Sequence, residues 1–269
     1  MIKHLVTSGC SFSDNLGIRW PHALANQLNL NLYNRGQGSC GNDWISRSVI
    51  YQTQKLLNEG ILPNEILVSV MWSGIDRKSL FISKNETVNY DSLLNHDGPW
   101  DCNPVNYIDN EFNSPCTGPR IDGYLAGAMT CKFNNNNINK FKQECINKFY
   151  PDESLAIESY EHFLRLQWFC ESKGIALINQ TFMDIMHYPK YSENKNYPLT
   201  RDYYRNVSFL YDMIDFKKWI FYKNTQGIYE YTRDNKLQFY KDGVHPLPES
   251  HEIYTRDFLI PELKKRVIL

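Results

Sequence analysis

The segment LVTSGCSFSD, at residues 5–14, passes from an apolar stretch directly into a turn rich in glycine and serine. Residues 3–7 have the short apolar pattern of a buried β-strand, and Gly9 then permits a sharp change of chain direction. Ser11 is thereby placed just beyond the end of the strand. Open α/β sheets bind their ligands at the carboxyl ends of their strands, so this turn indicates a fold class and offers a candidate reactive side chain.

Strands and helices alternate from this first strand onward. The predicted strands cover residues 3–7, 31–34, 65–71 and 175–180, and the predicted helices begin near Trp20 and cover residues 43–57, 151–172, 203–223 and 248–263. Alternation of this kind favours a parallel sheet with helices on both faces. The expected fold class is therefore α/β, a three-layer α/β/α sandwich with a parallel central sheet.

Residues 78–150 interrupt this rhythm with pieces rich in asparagine, glycine and proline. A structureless loop of this length is uncommon in a compact domain, so the segment is interpreted as an inserted subdomain or lid with a short helix near residues 138–149. The rest of residues 1–269 is expected to form one domain. An insertion after the third strand would lie near the carboxyl edge of the sheet and shape substrate access. The alternative is a surface elaboration used for oligomerisation.

A second segment near the other end of the chain reads DGVHP, at residues 242–246. A serine hydroxyl needs a base within hydrogen-bond reach, and that base needs a third group to hold its tautomer. Asp242 and His245 lie three residues apart on one loop, so the carboxylate can reach Nδ1 while Nε2 points away. Turn and capping roles explain either segment alone. Both together predict a catalytic triad of Ser11, His245 and Asp242, with the Ser11 N–H available to an oxyanion.

Two further groups are alternatives to this triad. Cys10 precedes Ser11 and offers a thiol as a second candidate nucleophile, which ranks behind the serine. Asp184 and His187 follow the fourth predicted strand and form a second acid–base pair. Loop structure or a substrate contact is the favoured interpretation of that pair.

The two end segments resemble the conserved blocks of the SGNH, or GDSL-like, hydrolase family. Gly9-Cys10-Ser11-Phe12 is similar to the Gly-Asp-Ser-Leu block that carries the nucleophile, with Cys10 in place of aspartate, and Asp242-Gly243-Val244-His245 is similar to the Asp-x-x-His block. Residues 34–38, NRGQG, correspond to the second block, whose glycine N–H serves the oxyanion hole. The resemblance implies the flavodoxin-like fold of that family, with Gly38 as the donor and Gly41 as its rival.

The third block departs from the family pattern. The family has Gly-x-Asn-Asp there, and the asparagine side chain donates to the oxyanion, whereas residues 72–77 read WSGIDR. The hydroxyl of Ser73, or the side chain of Asn42 from the neighbouring loop, is the candidate replacement. The alternative is that this stretch is only structural, with Trp72 in the core and Arg77 paired with Asp76 or with another acid at the surface. Loss of one oxyanion donor costs roughly 3–4 kcal/mol of transition-state stabilisation.

Composition excludes several other classes. The formal net charge of −1 and the pI of about 6.7 give no electrostatic footprint for nucleic acid. No stretch approaches the ~18 apolar residues of a membrane span, and residues 1–6 leave no room for a signal peptide, so a cytoplasmic protein without membrane contact is expected. The seven cysteines include no Cys-x-x-Cys pair and indicate neither a zinc site nor a complete disulfide framework.

The resemblance implies a serine esterase that needs neither a metal nor an organic cofactor. Its expected substrate is a carboxylic ester, with an O-acetyl or short acyl group on a carbohydrate or small molecule. Two alternatives stay open. The same triad could transfer the acyl group to a sugar hydroxyl, or the chain could be a non-catalytic glycan-binding or assembly protein that retains the fold. The sequence leaves the oligomeric state undetermined.

Overall fold

The computed structural model describes residues 1–15, 17–38, 40–75, 77–82, 123–128, 152–185 and 208–266. The strands are β1 (His4–Gly9), β2 (Asn31–Asn34), β3 (Ile66–Trp72), β4 (Arg77–Ile82), β5 (Gly123–Ala128) and β6 (Ala176–Thr181). The helices are α1 (Trp20–Leu28), α2 (Asn42–Asn58), α3 (Asp152–Lys173), α4 (Ile228–Asp234), α5 (Pro248–Tyr254) and α6 (Ile260–Lys265).

Four parallel strands form the central sheet in the order β2-β1-β3-β6. Every residue of β1 and β3 is buried, as expected of strands that are covered on both faces. The register aligns Gly9 of β1 with Met71 of β3, and Met71 with Gln180 of β6. The carboxyl ends of the three strands therefore meet at one edge of the sheet.

Helices cover both faces of this sheet. The chain passes from β1 outward to β2 and then back across β1 to β3, so right-handed crossovers place α1 on one face and α2 on the other. The contacts agree, since α2 packs against β1, β3 and α3, whereas α1 packs against β2 and α5. The predicted α/β class, with a parallel sheet between helical layers, is confirmed.

Most predicted elements are confirmed with their ends shifted by one or two residues. The four predicted sheet strands are all present, and α1 begins at Trp20 with Pro21 in its first turn, where the missing N–H of proline is harmless. The helix predicted over residues 151–172 is α3, which ends before Gly174, whose φ of +67° suits glycine at a helix end.

The helix predicted over residues 203–223 is wrong for its described part, residues 208–223. Two short 3₁₀ turns lie there instead, at Phe209–Met213 and Phe216–Lys218. The side chains of Ser208 and Asp215 each accept a hydrogen bond from a backbone N–H two residues later, at 3.2 and 3.0 Å. Such local bonds favour turns over a continuous helix.

The closing helix predicted over residues 248–263 is present but not uniform. A π-helical turn at Thr255–Leu259 separates α5 from α6. Pro261 lies in the first turn of α6 and has no N–H to continue the regular ladder, so the wider turn before it absorbs the interruption.

The interrupted region contributes a second, two-stranded sheet. β4 and β5 pair antiparallel, with Arg77 opposite Ala128 and Ile82 opposite Gly123. The remaining residues of the range 78–150, including the short helix predicted near 138–149, lie outside the described residues. The insertion or lid therefore stays a prediction.

Candidate active site

Ser11 lies on a tight turn at the carboxyl end of β1. The turn is closed by a hydrogen bond from the Ser13 N–H to the Cys10 carbonyl, at 2.8 Å. A Cβ at Gly9 would lie 2.8 Å from the Met71 carbonyl oxygen and would also collide with Ser13. Only glycine fits this approach, so Gly9 lets the turn press against β3 and bring Ser11 to the edge of the sheet.

His245 and Asp242 lie on a hairpin that is held by its own backbone. The Tyr240 N–H donates to the His245 carbonyl at 2.8 Å, and the Gly243 N–H donates to the Tyr240 carbonyl at 2.9 Å. The φ of Gly243 is +69°, which glycine adopts without strain. Asp242 Oδ1 accepts the N–H groups of Val244 and His245 at 2.7 and 2.9 Å, and this fixes the carboxylate against the loop.

A continuous chain of hydrogen bonds joins the two segments. Ser11 Oγ lies 2.7 Å from His245 Nε2, and His245 Nδ1 lies 3.1 Å from Asp242 Oδ2. With Nδ1–H donating to the carboxylate, Nε2 is left as the acceptor for the serine proton. This is the geometry that makes a serine hydroxyl a usable nucleophile.

Two aromatic rings pack beside the His245 imidazole. The ring centroid of Phe12 lies 4.8 Å from that of His245 and 4.9 Å from that of Phe182, and both phenylalanines are buried. Because Phe12 directly follows Ser11, the same short segment positions the nucleophile and limits the motion of its base.

The electrostatic surroundings favour an ionised Asp242 and a neutral His245. Burial opposes ionisation of Asp242, but hydrogen bonds from two backbone N–H groups and from His245 hold the pKa of its carboxyl below the ordinary value. Burial also lowers the pKa of His245, and the nearby Arg19 and Arg77 lower it further, while Asp242 raises it. The imidazole is therefore neutral at neutral pH and can act as a base.

The second block runs alongside the nucleophile turn. The Arg35 N–H donates to the Thr7 carbonyl and the Gln37 N–H to the Gly9 carbonyl, both at 2.8 Å, which brings Gly38 beside this turn. Gly41 caps the start of α2, and a Cβ there would lie 2.6 Å from the carbonyl oxygen of Arg77. Close packing is thus a sufficient reason for glycine at position 41.

The two candidate replacements for the missing asparagine bind one another. Asn42 Oδ1 accepts the Ser73 N–H at 2.9 Å, and Asn42 Nδ2 donates to the Ser73 carbonyl and to Ser159 Oγ, both at 3.2 Å. The Ser73 hydroxyl is buried and has no hydrogen-bond partner among the described residues. The amide of Asn42 is therefore occupied by the chain, whereas the hydroxyl of Ser73 is not.

The alternative pair is not assembled within the described residues. Asp184 Oδ1 accepts a hydrogen bond from Thr225 Oγ1 at 2.9 Å, and the Asp184 N–H donates to Glu230 at 3.1 Å. His187 lies outside the described residues. The competing nucleophile, Cys10, is a buried free thiol directly before Ser11.

Two arginines near the triad were not assigned to it from the sequence. Arg19 is buried, with its Nε 3.3 Å from Asp14 Oδ1, and its guanidinium carbon lies 5.5 Å from the centre of the Tyr240 ring. Arg77 is partly exposed, and its guanidinium carbon lies 5.5 Å from the centre of the Phe182 ring. Nothing in the local sequence distinguishes Arg19 from an exposed arginine.

Neither a membrane span nor a metal cluster is evident in the part of the chain that the structure describes. No helix there is long and apolar enough to cross a bilayer. No group of three or more histidine, cysteine, aspartate or glutamate side chains is arranged there to hold a metal ion.

Comparison with known proteins gives a match to a family model and similarities to solved structures. The model of a family of unknown function, DUF6071, matches residues 13–114. A crystal structure of a member of the lipolytic protein G-D-S-L family from Veillonella parvula DSM 2008 is similar over 96% of this chain and 97% of that chain, with 11% sequence identity and a TM-score of 0.42. No curated protein matches the sequence.

Proposed function

We propose that this protein is an SGNH-type serine hydrolase that cleaves a carboxylic ester. The observation that carries the proposal is the hydrogen-bonded series from Ser11 Oγ through His245 to Asp242, with distances of 2.7 and 3.1 Å. These residues come from distant parts of the chain, and no structural need of the fold requires a neutral histidine to face a serine hydroxyl there. Covalent acyl transfer does require it.

The first half of the reaction forms an acyl-enzyme. His245 Nε2 takes the proton of Ser11 Oγ while the oxygen attacks the ester carbonyl carbon, and the carbonyl π electrons move to its oxygen. When the tetrahedral intermediate collapses, the bond to the alcohol oxygen breaks and His245 returns the proton to that oxygen. Asp242 holds the imidazole in its tautomer and stabilises the imidazolium.

The second half repeats these steps with water. His245 takes a proton from a water molecule, the water oxygen attacks the acyl carbon, and the bond to Ser11 Oγ breaks with return of the proton to the serine. The products are the free acid and the restored enzyme. If a sugar hydroxyl replaced water here, the same residues would act as an O-acyltransferase.

The oxyanion would be held by the backbone N–H groups of Ser11 and Gly38. Of the two candidates for the third position, Ser73 has the stronger support, because its hydroxyl has no bond to give up in the described structure. Asn42 would have to release the Ser73 carbonyl or Ser159 in order to donate. Each donor is worth about 10²–10³ in kcat.

The substrate class follows from the resemblance of the sequence blocks. We propose an O-acetyl or short acyl group on a carbohydrate or small molecule, cleaved without a metal or organic cofactor. A panel of acetylated sugars and short-chain aryl esters, with and without added sugar acceptors, would separate hydrolysis from acyl transfer. The assembled triad favours either of these over non-catalytic glycan binding.

Intact mass after treatment with a fluorophosphonate tests the nucleophile directly. We expect one adduct on the wild-type protein, none on Ser11→Ala, and one on the control Ser172→Ala, which changes an exposed serine at the end of α3. The phosphonate forms a bond to Ser11 Oγ as fluoride leaves. Absence of the adduct on the wild type, or its persistence on Ser11→Ala, would remove the basis of the proposal.

A further inference from the structure

Arg19 is buried in the protein interior, where a charged group is unfavourable in free energy. It directly precedes α1 and is 8% exposed, although an unpaired charge away from water costs several kcal/mol. Its ion pair within the described residues is with Asp14, through a single pair of atoms at 3.3 Å. Its Nη1 is buried with no hydrogen-bond partner in that same part of the chain. The positive charge of the guanidinium is thus only partly neutralised and can act on neighbouring groups.

The guanidinium contacts the two chain segments that carry the triad residues, through Asp14 and Tyr240. Asp14 belongs to the loop that carries Ser11, and it is itself buried. On the other side lies the ring of Tyr240, at 5.5 Å from the guanidinium carbon. The Tyr240 backbone is hydrogen-bonded to His245 at 2.8 Å, so its position is tied to the base.

We propose that Arg19 is a positioning residue that joins the Ser11 segment to the Asp242–His245 hairpin and sets the electrostatic environment of the base. This inference rests on the proposed function. A planar guanidinium suits both contacts at once, because it can meet a carboxylate in its plane and an aromatic ring with its face.

The charged groups around His245 come from four elements. Asp242 lies on its own hairpin, Arg19 precedes α1, Arg77 begins β4, and His251 of α5 lies behind it. His22 of α1 influences His251 electrostatically, and its Nδ1 accepts a hydrogen bond from the Arg19 N–H at 3.4 Å. Among the described residues, the charges that lower the pKa of His245 are those of Arg19 and Arg77, whereas Asp242 raises it.

The sign of the expected effect follows from these charges. A nearby cation destabilises the imidazolium, so Arg19 keeps His245 in its neutral, proton-accepting form to lower pH. Removal of that charge raises the pKa of His245. The acid limb of the pH profile then moves to higher pH, because a larger share of the base is already protonated near neutrality.

Charge and geometry can be separated with two variants. Arg19→Gln removes the charge, whereas Arg19→Lys keeps the charge but loses the planar group that meets both Asp14 and Tyr240. We expect both to lower the plateau of kcat/KM by about 10–100-fold through displacement of the triad. Only Arg19→Gln should shift the acid limb.

The decisive measurement is the titration of the His245 imidazole by NMR, which needs no substrate. We expect the apparent pKa of His245 to rise in Arg19→Gln and to stay near the wild-type value in Arg19→Lys. His245→Gln assigns the signal, and Arg256→Gln, which changes an exposed arginine beside Asp257, is the matched control. The rate of fluorophosphonate labelling against pH gives the same comparison in kinetic terms.

The outcomes separate this inference from the proposed function. Equal His245 titrations in wild type, Arg19→Gln and Arg19→Lys would overturn the inference even if Ser11 reacts with the probe. A wild-type protein that never reacts would overturn the proposed function while the titration still tests Arg19. If Arg19→Gln does not fold because the buried Asp14 loses its ion pair with Arg19, Arg19→Gln with Asp14→Asn replaces it, with the same expected direction.

Discussion

Gly9 lies where the nucleophile turn comes closest to β3. The space that a Cβ would need is filled by the Met71 carbonyl oxygen, at 2.8 Å, and by Ser13. Ser13 in turn accepts a hydrogen bond from the indole N–H of Trp20, at 2.8 Å, so it is not free to move away. The contact therefore reaches from the strand through the turn to the first residue of α1.

Gly9→Ala should for this reason cost more than an ordinary glycine substitution. We expect a loss of about 1–3 kcal/mol in the free energy of unfolding, because backbone atoms must shift to admit the methyl group. Urea unfolding followed by tryptophan fluorescence measures it. Gly17→Ala is the matched control, since nothing lies within 4 Å of a Cβ there. Equal stabilities of the two variants would contradict this account of the turn.

The proposed triad could be suggested from the sequence because such chemistry would need three residue types at short local spacings, and the structure brings those three side chains into hydrogen-bond distance. Ser11 follows a strand and a glycine, and Asp242 and His245 share one loop. The role of Arg19 could not be predicted, because its environment is made by Asp14 and by Tyr240, which is remote in sequence. The hydrogen bonds of the Asn42 side chain could not be predicted for the same reason, since its partner Ser73 is 31 residues away in sequence.

At the scale of elements, α5 carries an unusual buried base. His251 is fully buried, and neither of its ring nitrogens has a hydrogen-bond partner within the residues described. Burial first, and then the charges of Arg19, His245 and His22, lower its pKa well below the ordinary value. The helix thus holds a neutral imidazole that packs as an apolar group.

This base makes the closing helix sensitive to acid. The unfolded chain binds a proton at His251 near the ordinary pKa of about 6.5, but the folded chain does not. The contribution of His251 to the free energy of unfolding is therefore fully present above that pH. It decreases as the pH drops below it, by up to about 1.4 kcal/mol per pH unit. His245 contributes in the same direction, because its folded pKa is also lowered.

His251→Leu should remove one of these two contributions. We expect equal or higher stability at pH 7.5, since no hydrogen bond is lost, and a shallower fall in the free energy of unfolding between pH 6.5 and 5. Urea unfolding at several pH values measures both. A variant that is strongly destabilised at pH 7.5, or one with the wild-type pH dependence, would show that His251 has a polar partner.

The elements that could be predicted are those in which a local pattern and the tertiary structure agree. The buried run at β3 and the proline at the start of α1 are examples. Residues 208–223 could not be predicted, because their spacing fits a helix while Ser208 and Asp215 bind nearby backbone N–H groups. The π turn before Pro261 likewise could not be predicted, because the sequence pattern is helical while Pro261 lacks the backbone N–H that a regular helix needs.

At the scale of the whole molecule, the candidate site depends on the integrity of one continuous core. Trp20, Trp72 and Trp219 are fully buried in it, and α1 packs against α5 near the triad. The Ser11 turn is attached to β1, whereas the His245 hairpin leads into α5. Separation of β1 from α5 would break the hydrogen bond between Ser11 and His245.

Reactivity and folding should therefore be lost together. We expect the rate of fluorophosphonate labelling and the tryptophan fluorescence to fall with the same midpoint in urea, as in a cooperative two-state transition. The two curves would be measured on the same samples at equilibrium. Loss of labelling at clearly lower urea would mean instead that the His245 hairpin detaches locally while the core persists.

The wide separation of Ser11 and His245 along the chain has a consequence during translation. The ribosome adds the histidine more than two hundred residues after the serine. Throughout that interval the nascent chain carries an ordinary, unreactive hydroxyl. Under the proposed function, the reaction could begin only after the His245 hairpin and α5 have emerged and docked, so the order of synthesis would delay the chemistry until the site is assembled.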